Sequence, residues 1–176
     1  MPTCALSAPG RGGYRGEGCR IGGETRVGAA SGMTSTRTGI VTYRGAVYAS
    51  HCDHIGHMNI ASYGAKFDEA NWVLFCEIGL TPSYLRSQSH GMAGVQQNIS
   101  YRKELFAGDV IEIRTVVLEV TERRLCVRHE MRDIETGAVA AVSEITSVHL
   151  DKQAHKSCPL PPNVRAAAEK FLVPAG

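Results

Sequence analysis

The run His51-Cys52-Asp53-His54-Ile55-Gly56-His57-Met58-Asn59 gathers one carboxylate, three imidazoles, a thiol and a glycine directly before a long apolar segment. A polar cluster at a helix start can present a nucleophile or a general base. The helix's free N–H groups and positive dipole end favour an oxyanion that develops nearby. That composition suits acyl transfer or hydrolysis. Three readings compete. His and Asp are common in loops and at N-caps, so the segment alone describes a solvated turn. His51, Cys52, Asp53, His54 and His57 are also metal-ligand types, with two His-x2-His pairs, but the chain offers no distant Cys-x2-Cys or His-x3-His half-site, so no metal is expected here. The third reading makes Asp53 a catalytic carboxylate. Cys52 could be a nucleophile by type, yet it has no clear base partner and reads as a small buried residue.

The elements that must hold these residues follow from hydrophobic period. From Asn59 to Leu80, the positions Ile60, Tyr63, Phe67, Asn71, Leu74 and Ile78 recur at helical spacing. Asn59 is a good N-cap, and Gly79 with Pro82 beyond it is a good stop. Trp72, Val73, Phe75 and Cys76 fall off the main stripe, so this helix is expected to be buried on more than one side. The period then changes toward two. Leu125, Val127, His129 and Met131 alternate with Arg124, Cys126, Arg128, Glu130 and Arg132, which marks a strand with one dry and one wet face. Val110–Val120 and Ala138–Leu150 are rich in β-branched residues, Met92–Tyr101 is a weaker strand, and Ile40–Ser50 precedes the helix. Thr121-Glu122-Arg123 and Glu135-Thr136-Gly137 are hairpin-sized gaps. The order is strand, long helix, four strands, with antiparallel neighbours expected.

Cys52-Asp53-x-x-Gly56-His57-Met58-Asn59, Tyr63, Phe67-Asp68-Glu69-Ala70 and Ile78-Gly79-Leu80 together resemble the hotdog-fold acyl-CoA thioesterases, within them the 4-hydroxybenzoyl-CoA thioesterase-like group, over roughly residues 40 to 151. The resemblance implies an α+β hotdog fold, a curved antiparallel five-stranded sheet wrapped around one long central helix. It implies hydrolysis of an acyl-CoA to a carboxylic acid and free CoA, with Asp53 as nucleophile or general base and no metal or redox cofactor. His57 and Asn59 would position water or polar substrate groups. A backbone N–H at the end of a short helical turn would polarise the thioester oxygen, for which Gly94 is the candidate. Tyr63 would lie with the substrate, and Glu69 is a lesser candidate because another hotdog branch uses a carboxylate on the helix. Arg123 and Arg124 would contact coenzyme phosphates, for which Arg supplies forked donors, although such a pair also reads as a solvated hairpin. Members form side-by-side dimers and often tetramers. Two alternatives remain: a hotdog enoyl-CoA hydratase or dehydratase using Asp53 with His57, and a non-catalytic acyl-CoA-binding module. The hydratase pattern Asp-x-Asn-Pro-x-His is not present.

Composition sets bounds on the rest. The 176 residues suit one domain, 40–151, with 152–176 expected as a C-terminal extension carrying a short helix. Residues 1–39 hold ten of the nineteen glycines and no periodicity, so they read as a disordered lead-in, with Met33 as a possible functional start. That lead-in carries five arginines and two glutamates, which leaves the remainder near neutral within a chain of net charge +2 and argues against a nucleic-acid partner. Six cysteines in unlike contexts outline no disulfide framework. No apolar run has the length of a membrane span, and no signal-peptide core is present, so a cytoplasmic location is expected.

Overall fold

Residues 39–173 are described in a computed structural model. The glycine-rich lead-in, Met33 included, lies outside the described residues except for Gly39. Five long strands, β1 (Ile40–Ala46), β2 (His90–Tyr101), β3 (Val110–Val120), β4 (Arg124–Asp133) and β5 (Val139–Asp151), form one antiparallel sheet in the order β1-β3-β4-β5-β2. A two-residue strand, β6 (Lys156–Ser157), continues from β5. The helices are α1 (Ile60–Glu77), α2 (Pro82–Ser87) and α3 (Pro162–Glu169). This curled sheet and single long helix are the hotdog architecture expected from the motif.

Alternation along β4 determines which face meets the helix: Leu125, Val127, His129 and Met131 are all 1% exposed or less, while their neighbours point outward. The core runs along α1 in two stretches. Tyr63, Phe67 and Ala70 pack with Met58, Ile111, Ile113 and Met131 near the helix start. Leu74, Phe75 and Ile78 pack with Val117, Leu125 and Val127 near its end. Leu160, Val164 and Ala168, on and before α3, close that second stretch, so the segment after residue 151 contributes to the core. No helix among the described residues is long and apolar enough to cross a membrane.

Three departures from the expected elements have physical causes. The first strand stops at Ala46 rather than Ser50, because Val47 turns into the core and exchanges hydrogen bonds with Asp109 and Gly108 before a 3-10 turn at Ala49–His51. Pro82 does not only stop α1. With Thr81 as an N-cap accepting from Tyr84 N–H, it opens α2 at the first-turn position where a missing N–H costs nothing. The third concerns α1. One chain supplies one sheet face, so the helix buries Tyr63, Phe67, Ala70, Asn71, Leu74 and Phe75 but leaves Ile60, Trp72 and Val73 at 66%, 43% and 41% exposed.

Candidate active site

The segment from Cys52 to Met58 is a tight loop clamped at its mouth, where those two residues form an antiparallel bridge. Asp53 N–H donates to the His57 carbonyl at 3.1 Å, and Gly56 N–H donates back to the Asp53 carbonyl at 3.0 Å. Gly56 has φ +94° with open space where a Cβ would sit, so the backbone twist, not crowding, calls for glycine. Met58 N–H donates to Leu105 O at 2.7 Å, which pins the loop to the segment after β2.

That loop fixes both oxygens of the Asp53 carboxylate. Oδ1 accepts the Ile55 N–H at 2.9 Å in an Asx turn, and Oδ2 accepts the Asn59 side-chain amide at 2.9 Å. Asn59 works in two directions, since its Oδ1 caps α1 by accepting from Ala61 N–H at 2.9 Å. The carboxylate is thereby tied to the positive end of an 18-residue helix. The Ile55 N–H first, and the Asn59 amide second, hold its pKa below the ordinary carboxylate value. Asp53 is therefore ionised at neutral pH while remaining accessible from solvent.

His57 opens onto a groove of about 280 Å³ whose walls include Met58, Ile60, Tyr63, Tyr101 and Glu104. Asp53 is not in its lining but adjoins it through His57. The His57 ring faces the Met58 carbonyl (Nδ1, 3.3 Å) and Glu104 (Nε2, 3.9 Å). Tyr63 is buried, with its ring edge-on to Tyr101 at 5.2 Å and its hydroxyl donating to Lys103 O at 3.3 Å. Burial pushes the Tyr63 phenol up to about 12, so it stays a neutral donor. Lys103 is an ion-pair partner of Asp133 at 2.7 Å, which braces this wall against the β4–β5 turn. The expected residues Asp53, His57, Asn59 and Tyr63 thus gather at the start of α1.

The other expected residues lie elsewhere in this chain. Glu69 is exposed and paired with Lys66 at 3.1 Å. Gly94 is not at the end of a helical turn; it sits inside β2 opposite Ser147, one residue before a bulge. Arg124 lies at the same end of the sheet, since it pairs with Val148, which in turn pairs with Ala93. Its guanidinium meets Glu119 at 3.3 Å, and Arg123 donates to the Ser157 carbonyl at 2.8 Å. Asp53 stands at the start of α1, whereas Leu125, next to Arg124 and opposite Ser147, packs against its end. Spacing along the sequence missed the Ile55 N–H, Tyr101 and Glu104 as site residues. Asp-x-x-Gly carried a turn signal for the first, whereas Tyr101 and Glu104 reach the site only through strand register.

Residues 47–168 match the model of the thioesterase-like superfamily. The chain belongs to that superfamily. This thioesterase is 26% identical over 130 residues to the betainyl-CoA thioesterase of Pseudomonas aeruginosa, spanning 74% of this chain and 82% of that protein. It is also 26% identical over 146 residues to an L-carnitine dehydrogenase/betainyl-CoA thioesterase of Agrobacterium fabrum, where the match spans 83% of this chain but only 30% of the relative's length. Among solved structures, a Staphylococcus aureus protein in complex with CoA superposes with a TM-score of 0.71 at 18% identity, covering 81% of this chain and 92% of that one. The structural likeness establishes the fold, and the family match establishes the class of enzyme.

Proposed function

We propose that this thioesterase hydrolyses an acyl-CoA with the Asp53 carboxylate as nucleophile. The observation that carries the role is the pair of hydrogen bonds from Ile55 N–H and the Asn59 amide, which keep Asp53 charged and aimed at the start of α1. A carboxylate held below its ordinary pKa is a weak proton acceptor at neutral pH, since a general base works best with a pKa near the operating pH. Nucleophilic attack needs only the ionised form. Asp53 Oδ attacks the thioester carbonyl carbon, and the oxyanion forms beside the positive end of α1. The C–S bond then breaks, CoA leaves as thiolate and takes a proton from solvent. The remaining acyl-aspartyl anhydride is cleaved by water, which releases the carboxylic acid and restores Asp53. His57, on the groove side of the same loop, holds that water or the substrate carbonyl.

Gly94, Arg123 and Arg124 enter the reading through a second subunit. β2 is an edge strand with Val95 59% exposed, and Trp72 and Val73 add apolar surface on α1. An uncovered edge beside such surface favours association. A two-fold axis beside the middle of β2 sets the partner's Gly94 next to that axis and turns its arginine pair toward this chain's Asp53 end. A homodimer, alone or doubled into a tetramer, then supplies the oxyanion donor and phosphate contacts that one chain does not bring to Asp53. The cytoplasm is the compartment assigned, where acyl-CoA is made and where free thiols such as Cys52, Cys76, Cys126 and Cys158 persist.

The test is a thiol-release assay over short, branched, aromatic and betainyl acyl-CoAs, run with and without hydroxylamine. An acyl-enzyme predicts that, for one acyl group, hydroxylamine gives the same hydroxamate-to-acid ratio whether CoA or pantetheine is the leaving thiol. A ratio that changes with the leaving thiol would return Asp53 to the general-base role.

A further inference from the structure

At the end of α1 opposite Asp53, three ligand-type side chains from separate segments meet. His90 opens β2, His149 lies near the end of β5 and Cys158 follows β6. One ligand atom from each lies within 4.8 Å of the other two. Among the described residues, this is where His and Cys gather closely, rather than in the His51–His57 loop. His149 is 0% exposed, and its Nε2 has no hydrogen-bond partner. Its Nδ1 lies 2.9 Å from the Pro159 carbonyl oxygen and 3.2 Å from Cys158 Sγ. His90 repeats the pattern, with Nδ1 3.2 Å from the Tyr84 hydroxyl. The two imidazoles sit edge to face at 4.8 Å, and the Tyr84 ring stacks on His149 at 6.4 Å.

A buried polar nitrogen left without a partner is costly, and native folds seldom keep one without a use. Histidines that hold metal ions engage the other ring nitrogen with a carbonyl, carboxylate or water, which fixes tautomer and orientation. His149, with Nδ1 on a carbonyl and Nε2 unsatisfied, has that arrangement once Cys158 Sγ, 3.2 Å from Nδ1, turns toward Nε2. Two imidazoles and one thiolate are the donors that select zinc-class cations over Mg²⁺ or Ca²⁺, which demand oxygen ligands.

We propose that His90, His149 and Cys158 form a binding site for a zinc-class divalent cation, with a water as the fourth ligand. A tetrahedral zinc centre spaces nitrogen and sulfur ligand atoms about 3.5 Å apart, so the three groups must draw in by roughly 1 Å. His90 and Cys158, both only partly buried, have room to do so. Binding forms the metal–sulfur bond and releases the Cys158 thiol proton to solvent. The ion would tie the start of β2 to the end of β5 and to the turn through β6.

The experiment uses the full chain, stripped with a chelator, and titrates it with Zn²⁺ by calorimetry and with Co²⁺ by absorbance. The expected result is one ion per chain, thiolate-to-Co²⁺ charge-transfer bands, and a loss of affinity of at least ~10-fold in both Cys158→Ser and His90→Ala, since even outer-shell changes cost that much. Circular dichroism of each variant confirms that it folds. Mapping of alkylated peptides needs no variant: bound Zn²⁺ should protect Cys158 from iodoacetamide while Cys76, exposed, still reacts. Absence of stoichiometric binding, or binding that survives in both variants and leaves Cys158 reactive, would overturn the site.

Discussion

His129 makes the stability of this protein sensitive to acid in a defined window. The side chain is 0% exposed beneath α1, with Nδ1 2.7 Å from Thr115 Oγ1, which is itself 2.7 Å from Thr42 Oγ1. Its ring faces Phe67 at 6.0 Å, and Nε2 has no hydrogen-bond partner. Burial lowers its pKa from 6.5 to about 4. Between those values the unfolded chain takes up a proton that the folded chain refuses, so stability is complete above pH 6.5 and falls as pH drops toward 4. The gap between those values corresponds to roughly 3 kcal/mol, most of which is lost by pH 4.5. That is a large share of the ~5–15 kcal/mol typical of a domain. Guanidinium unfolding of the parent and of His129→Gln, at one protein concentration and at pH 7.5 and 4.5, isolates the effect. Carboxylates such as Asp133, whose Lys103 and Thr136 partners lower its pKa to about 2, are common to both proteins and cancel in the difference. The parent should lose about 2–3 kcal/mol more than the variant over this interval. Equal losses would refute the picture of a buried, neutral His129.

Other outcomes follow from the same geometry. Asn59→Asp keeps the cap acceptor for Ala61 N–H but replaces the amide facing Asp53 with a like charge; the acid limb of the rate profile should move to higher pH, while Asn59→Ala should cost about 1 kcal/mol of stability through the lost cap. Light scattering at micromolar concentration should give at least a dimer, and Val95→Lys with Trp72→Lys should shift it toward monomer with loss of activity; a fully active monomer would contradict the shared site. Replacing Arg123 and Arg124 with Ala should raise KM for acyl-CoA with little change in kcat, more so at low salt, and should leave an acyl-pantetheine substrate unaffected. An equal defect on both substrates would assign the pair a structural role through Ser157 and Glu119.

Local physics made much of this fold legible. The strict alternation around His129 named the buried face of β4, and Asn59 marked the start of α1 because a cap residue followed by helical spacing is a short-range signal. Pro82 was ambiguous for a physical reason: proline both ends one helix and begins another, and Thr81 decides between them by capping α2. At the candidate site, Asp53, His57 and Asn59 were readable because they share one loop. Gly94, Arg123 and Arg124 were not placed by sequence, since spacing does not say which end of a sheet a residue occupies. Fifty-nine positions separate His90 from His149, and only strand register brings them together.

The central claim is that the Asp53 carboxylate carries thioester hydrolysis, and thiol release by Asp53→Asn tests it most directly. The substitution preserves size, and the tight turn is backed by the Gly56–Asp53 and Asp53–His57 backbone hydrogen bonds, so circular dichroism and oligomeric state should match the parent. Turnover on the best acyl-CoA should fall by at least about a hundredfold. A folded Asp53→Asn protein that releases CoA at a near-parental rate would contradict the account.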